Sequence, residues 1–153
     1  VPVMCISRVF LHTCVPWWHT YCKYSGTAGI PIVLKWKLPP VWKAGRVHWP
    51  VPLKFDDPGD IKTYGYHHEV LLLQELTPPE TLIGSKITLA ADASWLVCEK
   101  IFIPGGARLQ LDLPVAAQST SSNTELFAKY RAKLPRPLPE SARDALVWSS
   151  QAH

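Results

Sequence analysis

Residues 86–113, KITLAADASWLVCEKIFIPGGARLQLDL, constrain the fold more than any other part of the chain. Ile87, Leu89, Ala91 and Ala93 recur at every second position, and Trp95, Val97 and Ile101 carry apolar content on to a Pro-Gly-Gly break. After the break, Leu109, Leu111 and Leu113 alternate with Arg108, Gln110 and Asp112. A period of two sends one set of side chains to a core and the other to water. The stretch therefore reads as two half-buried strands joined by a short connection that carries a thiol, Cys98. A thiol displayed on a β scaffold suits redox or nucleophilic chemistry, and a buried structural cysteine fits the same local pattern equally well.

The remaining segments extend the β reading. Residues 1–15 alternate loosely and predict one or two strands, whereas 16–31, with two glycines and two prolines, read as turn-rich. Residues 32–38 predict a strand with Leu34 and Trp36 on one face and Lys35 and Lys37 on the other. A short extended piece is expected at 47–49, and DDPGD at 56–60 is turn chemistry. EVLLLQEL at 69–76 is short and lies between turns, which favours a strand over a helix. After Val115 a small polar linker leads to Ser122-Asn123-Thr124-Glu125, which fits a capping box, and Leu126, Tyr130 and Leu134 then recur at helical spacing. A second short helix is expected over 140–148. Seven or so short strands followed by a tail define an all-β sandwich, with 1–115 as the domain and 116–153 as linker and helical tail.

Composition limits the functional classes. At 153 residues the chain can bury roughly 68–70% of its unfolded surface and needs no metal or disulfide to fold. With 47% apolar and 18% charged residues it is not a disordered chain. No apolar run is long enough to span a bilayer, so no direct membrane insertion is expected. Residues 1–55 hold seven Lys or Arg and no acid, interleaved with Trp17, Trp18, Tyr21, Tyr24, Trp36, Trp42 and Trp49. Rings among cations suit a single-stranded nucleic acid, but no nucleic-acid signature accompanies them, and nucleic acid is not the expected partner. Residues 1–17 lack the pattern of a secretory signal peptide.

Cys5, Cys14, Cys22 and Cys98 form no CxxC or zinc-ribbon spacing. His19-x-x-Cys22 and His67-His68-Glu69 are fragments of metal-site spacing, but adjacent strand residues face opposite ways, so no metal site is expected. His12 and His48 read as strand-surface residues. No phosphate loop, paired catalytic carboxylates or GxSxG elbow is present, which leaves hydrolase and nucleotide-binding readings without support.

Several local motifs converge on one family. They are Trp18-His19-Thr20-Tyr21, Gly29-Ile30-Pro31, Trp36, Leu38-Pro39, Trp42, Ala44-Gly45, Trp49-Pro50, Tyr64-Gly65-Tyr66, Glu69-Val70-Leu71-Leu72 and Trp95-Leu96-Val97-Cys98-Glu99. In register from about residue 10 to 115, the chain resembles the N-terminal periplasmic domain of the DsbD-type thiol:disulfide interchange proteins. The Trp-Leu-Val-Cys-Glu run followed by Ile-x-Ile-Pro-Gly is the specific part of the match.

The resemblance implies an immunoglobulin-like β-sandwich in the bacterial periplasm, with a redox cysteine pair near one edge and no cofactor. It implies electron transfer from a membrane-embedded donor segment to thioredoxin-like periplasmic acceptors, including disulfide isomerases and cytochrome c maturation proteins. Cys98 becomes the redox thiol, and Tyr64 and Tyr66 fall where an aromatic cap shields the pair. Close relatives carry a second cysteine four positions after the first, and here that position is Phe102. A lone thiol forms a mixed disulfide but cannot resolve it intramolecularly. A rescue thiol, Cys22 among the candidates, would have to lie within about 7 Å of Cys98 between Cα atoms. Lys86 and Lys100 would favour the Cys98 thiolate and Glu99 would oppose it. The rival reading is a non-catalytic interaction module derived from the same domain.

Overall fold

The computed structural model describes residues 6–57, 59–82, 85–115 and 122–139, with side chains from His12 onward, Asp57 excepted. Among them are nine strands and one helix: β1 Ile6–Thr13, β2 His19–Gly26, β3 Val33–Lys37, β4 Lys43–His48, β5 Leu53–Asp57, β6 Ile61–His67, β7 Glu69–Thr77, β8 Lys86–Cys98, β9 Phe102–Pro114 and α1 Thr124–Arg131. They form the expected immunoglobulin-like sandwich. A three-stranded sheet, β1-β7-β4, faces a six-stranded sheet ordered β3-β8-β2-β6-β5, with β9 paired to β8.

β7 explains why the run of leucines at 71–73 is continuous rather than alternating. Val70 and Leu72 point between the sheets, where they meet Cys22, Ile32, Tyr66 and Ala93. Leu71 and Leu73 point the other way and meet Tyr130, Leu126, Phe127 and Leu134 of the helical tail. A strand covered on both faces loses its polar alternation. The tail is thus a third layer over the smaller sheet, tied down by Tyr130 Oη donating to Glu69 at 2.7 Å and by Val51 N–H donating to the Lys133 carbonyl at 2.9 Å. Gln74 is the polar member of the inward row. Its amide accepts from Trp36 Nε1 at 2.8 Å and donates to the Gly45 carbonyl at 2.7 Å, so a buried polar group is satisfied from both sheets.

Several local expectations change. β2 runs through the segment read as turn-rich: Gly26, at positive φ, ends the strand, and Gly29 and Pro31 come after it. The connection between the two long strands is residues 99–101, and Pro-Gly-Gly lies inside β9, where Gly105 pairs with Trp95. A side chain at Gly105 would collide with the Trp95 indole, so this glycine makes room for a ring and does not mark a turn. The helix starts after Asn123, left-handed at φ 58° with no side-chain cap bond, which leaves Ser122 one residue outside the capping position. The helix expected at 140–148 lies outside the described residues. His12 is not a surface residue: it is buried, with its ring 4.8 Å from Trp95.

Candidate functional site

Cys98 is the last residue of β8, and the register there defines its surroundings. Across one side it pairs with Phe102 of β9, and across the other with His19 of β2, which in turn pairs with His67 of β6. Phe102, Cys98, His19 and His67 therefore form one row across four strands, with directly opposed Cβ atoms roughly 4.5–5.5 Å apart. Val97 and Thr20 occupy the opposite face, continuous with the inter-sheet core. The thiol is on the outer face of the larger sheet. It is nonetheless only 7% exposed, because side chains cover that face.

Aromatic side chains crowd this face around the row. The His19 ring stacks on Phe55 at 4.4 Å and 18°, and meets Tyr21 edge-on at 5.2 Å. Phe55 also packs edge-on against His67 at 4.7 Å. The His67 ring is oriented by its Nδ1–H, which donates to the Trp18 carbonyl at 3.1 Å. Tyr21 is 1% exposed, since the loop after β2 folds across it. Gly29, at φ +95°, lies so close to the Tyr21 ring that any Cβ there would clash. On the β9 side, Tyr21 and Phe102 approach to 6.3 Å between ring centres.

The other residues singled out in the sequence fall elsewhere. Cys22 belongs to the inter-sheet core, on the opposite face of β2 from His19, and is not brought to Cys98. Cys14, Cys22 and Cys98 are all free thiols. Cys14 lies at the end of β1, with its sulfur 3.6 Å from His12 Nδ1, and burial pushes its thiol pKa up. Cys5 lies outside the described residues. Tyr66 is in the inter-sheet core and donates to the Pro50 carbonyl at 2.7 Å. Tyr64, of the same parity on β6, projects from the same face as Tyr66 and pairs with Lys54. Neither tyrosine shares the face of Cys98; the rings that do are His19, Tyr21, Phe55, His67 and Phe102.

Lys86 is at the far end of β8, twelve residues and roughly 40 Å from Cys98, and is paired with Asp112. It cannot act on the thiol. Lys100 and Glu99 lie beside each other in the connecting turn at 4.0 Å. No group of three metal-ligating side chains converges among the described residues.

Sequence reasoning missed His19, Tyr21 and Phe55 as neighbours of the thiol. The signal was present in His19-Thr20-Tyr21-Cys22, an alternating strand, but the glycines and prolines that follow it drew the whole segment into a turn reading.

An antiparallel sandwich with a near-buried thiol at the rim of its larger sheet, beneath a set of rings, defines a class of β-sandwich thiol domains. Residues 12–114 match the family described as thiol:disulfide interchange protein DsbD, N-terminal, and the chain belongs to that family. The N-terminal periplasmic domain of ScsB from Proteus mirabilis has the same fold, with a TM-score of 0.66 and 23% identity over 88% of this chain and 51% of that one. This chain thus spans about half the length of that solved domain. The reduced N-terminal domain of Neisseria meningitidis DsbD aligns at a TM-score of 0.38 and 14% identity, over 72% of this chain and 77% of that one. No curated protein matches the chain.

Proposed function

We propose that this chain is a periplasmic thiol–disulfide interchange domain that works through one thiol, Cys98. The observation that carries the reading is the position of Cys98 at the end of β8, beside a three-residue turn and on the outer face of the sheet, in one row with Phe102, His19 and His67.

The chemistry begins when Cys98 loses its proton and its thiolate attacks a partner disulfide. A sulfur–sulfur bond forms between Cys98 and the partner, the partner disulfide breaks, and its second sulfur leaves as thiolate. In relatives the second cysteine then attacks Cys98 and releases a fully reduced partner. Here Phe102 stands at that position and Cys22 faces the core, so an external thiol must supply the second attack. That thiol ends in disulfide linkage to Cys98, and a further thiol equivalent restores the reduced domain. Two electrons reach the partner for each cycle and two thiols are oxidised. Thioredoxin-like periplasmic proteins are the proposed acceptors, and a membrane-embedded segment on this or another chain is the proposed donor.

Phe102 also favours a second reading, a non-catalytic interaction module that retains the partner surface. Reduction of a thioredoxin-like disulfide protein, assayed with a small dithiol as donor, separates the two. Turnover that is lost in Cys98→Ser supports interchange. No turnover in either form, with partner affinity unchanged by Cys98→Ser, supports the module.

A further inference from the structure

We infer that Phe102, which occupies the position of the missing second thiol, is the gate over Cys98 and selects what reaches it. The inference rests on the thiol-interchange reading of Cys98 but is tested independently of it. β2 and β9 flank β8 on opposite sides, so their axes are roughly 9.6 Å apart. The Phe102 and Tyr21 ring centres are nevertheless only 6.3 Å apart. Both rings therefore lean inward across β8, at the level where Cys98 is paired with Phe102 and Tyr21 lies two residues beyond its other partner, His19.

The two halves of this cover are unequal. Tyr21 is 1% exposed and wedged against Gly29, whereas Phe102 is 53% exposed and directly follows the 99–101 turn. Tyr21 is the fixed jamb and Phe102 the part that can swing. Its phenyl ring meets Tyr21 in a tilted contact, and about half of the residue's surface is in water. Ile101, 63% exposed, adjoins it in the turn. A reagent that reaches the Cys98 sulfur must displace the ring, and a partner offering apolar surface around its own disulfide recovers that contact. A small hydrophilic disulfide recovers nothing.

The test is the alkylation rate of Cys98 by iodoacetamide in the folded protein, resolved from the other cysteines by mass spectrometry of the labelled peptide. Phe102→Ala is expected to raise the rate roughly tenfold, the scale set by losing one aromatic contact. Phe102→Leu should fall between it and the wild type, and Phe102→Trp should be no faster than the wild type. Because the ring is half in water, these variants are expected to keep the wild-type circular dichroism. A Phe102→Ala rate equal to that of the wild type overturns the gate, as does equal acceleration at Cys14. Interchange is read separately, by mixed-disulfide formation with oxidised glutathione in the Phe102→Ala protein. Fast alkylation without that adduct leaves the gate standing and removes the interchange reading.

Discussion

Cys98 and Phe102 are opposed across the hairpin, and this pairing makes the lost redox couple recoverable. Directly opposed residues in an antiparallel pair have Cα atoms about 4.5–5.5 Å apart, inside the range a disulfide requires. Phe102→Cys is therefore expected to form an intramolecular disulfide under mild oxidation. Thiol titration of the folded protein should then find neither residue 98 nor residue 102 reactive until a dithiol is added. Persistent titration of Cys98 would mean that the register at the hairpin end is wrong. The thiol itself was legible from the alternating pattern around it. Its neighbours were not, because they come from β2, β5 and β6 and meet only after β2 pairs with β6 and with β8, both distant in sequence. The expectation of Tyr64 and Tyr66 as shields came from linear correspondence. Parity on β6 sends both side chains to the face opposite Cys98.

β9 shows how composition misleads at the level of a strand. Pro104 and Gly105 look like a turn, yet a strand whose far edge has no partner among the described residues tolerates a residue without an N–H, and Gly105 leaves room for Trp95. Gly105→Val is expected to overpack that contact and cost about 1–3 kcal/mol, measured as a lower denaturant midpoint at unchanged slope. A midpoint within error of the wild type would remove the proposed role of this glycine. The strand character of β7 was legible from length and flanking turns. Its second buried face was not, because the covering residues are more than fifty positions away in α1. Tyr130 is 1% exposed beneath that face, and Tyr130→Ala is expected to cost about 3 kcal/mol of unfolding free energy, with the loss read from urea unfolding.

Attachment of the tail also gives the whole molecule a pH dependence. The Tyr130 hydroxyl and then the Lys129 ammonium hold the Glu69 carboxyl pKa below its ordinary value. A carboxyl with a lowered folded pKa adds stability that is full above its unfolded value, about 4.3, and is lost as pH falls through the folded value. Glu69→Gln is expected to flatten this part of the acid limb in urea midpoints taken between about pH 3 and about pH 6, leaving neutral-pH unfolding cooperative. An acid limb as steep as that of the wild type would place the pH sensitivity elsewhere. The sandwich class was readable because short alternating strands between turns have few other packings. Which face of the larger sheet holds the thiol was not readable, since one residue of register decides it.

The central claim is that Cys98 exchanges covalent bonds with another protein. Its most direct measurement is peptide mapping of the adduct formed when the folded, reduced chain meets a thioredoxin-like protein. In that partner one active-site cysteine is activated as a mixed disulfide with thionitrobenzoate and the other is replaced by serine. The expected product is a single interprotein disulfide at Cys98, with release of one thionitrobenzoate and loss of the adduct in Cys98→Ser. An adduct carried by Cys14 or Cys22, or none at all while the partner reacts with glutathione, would contradict it.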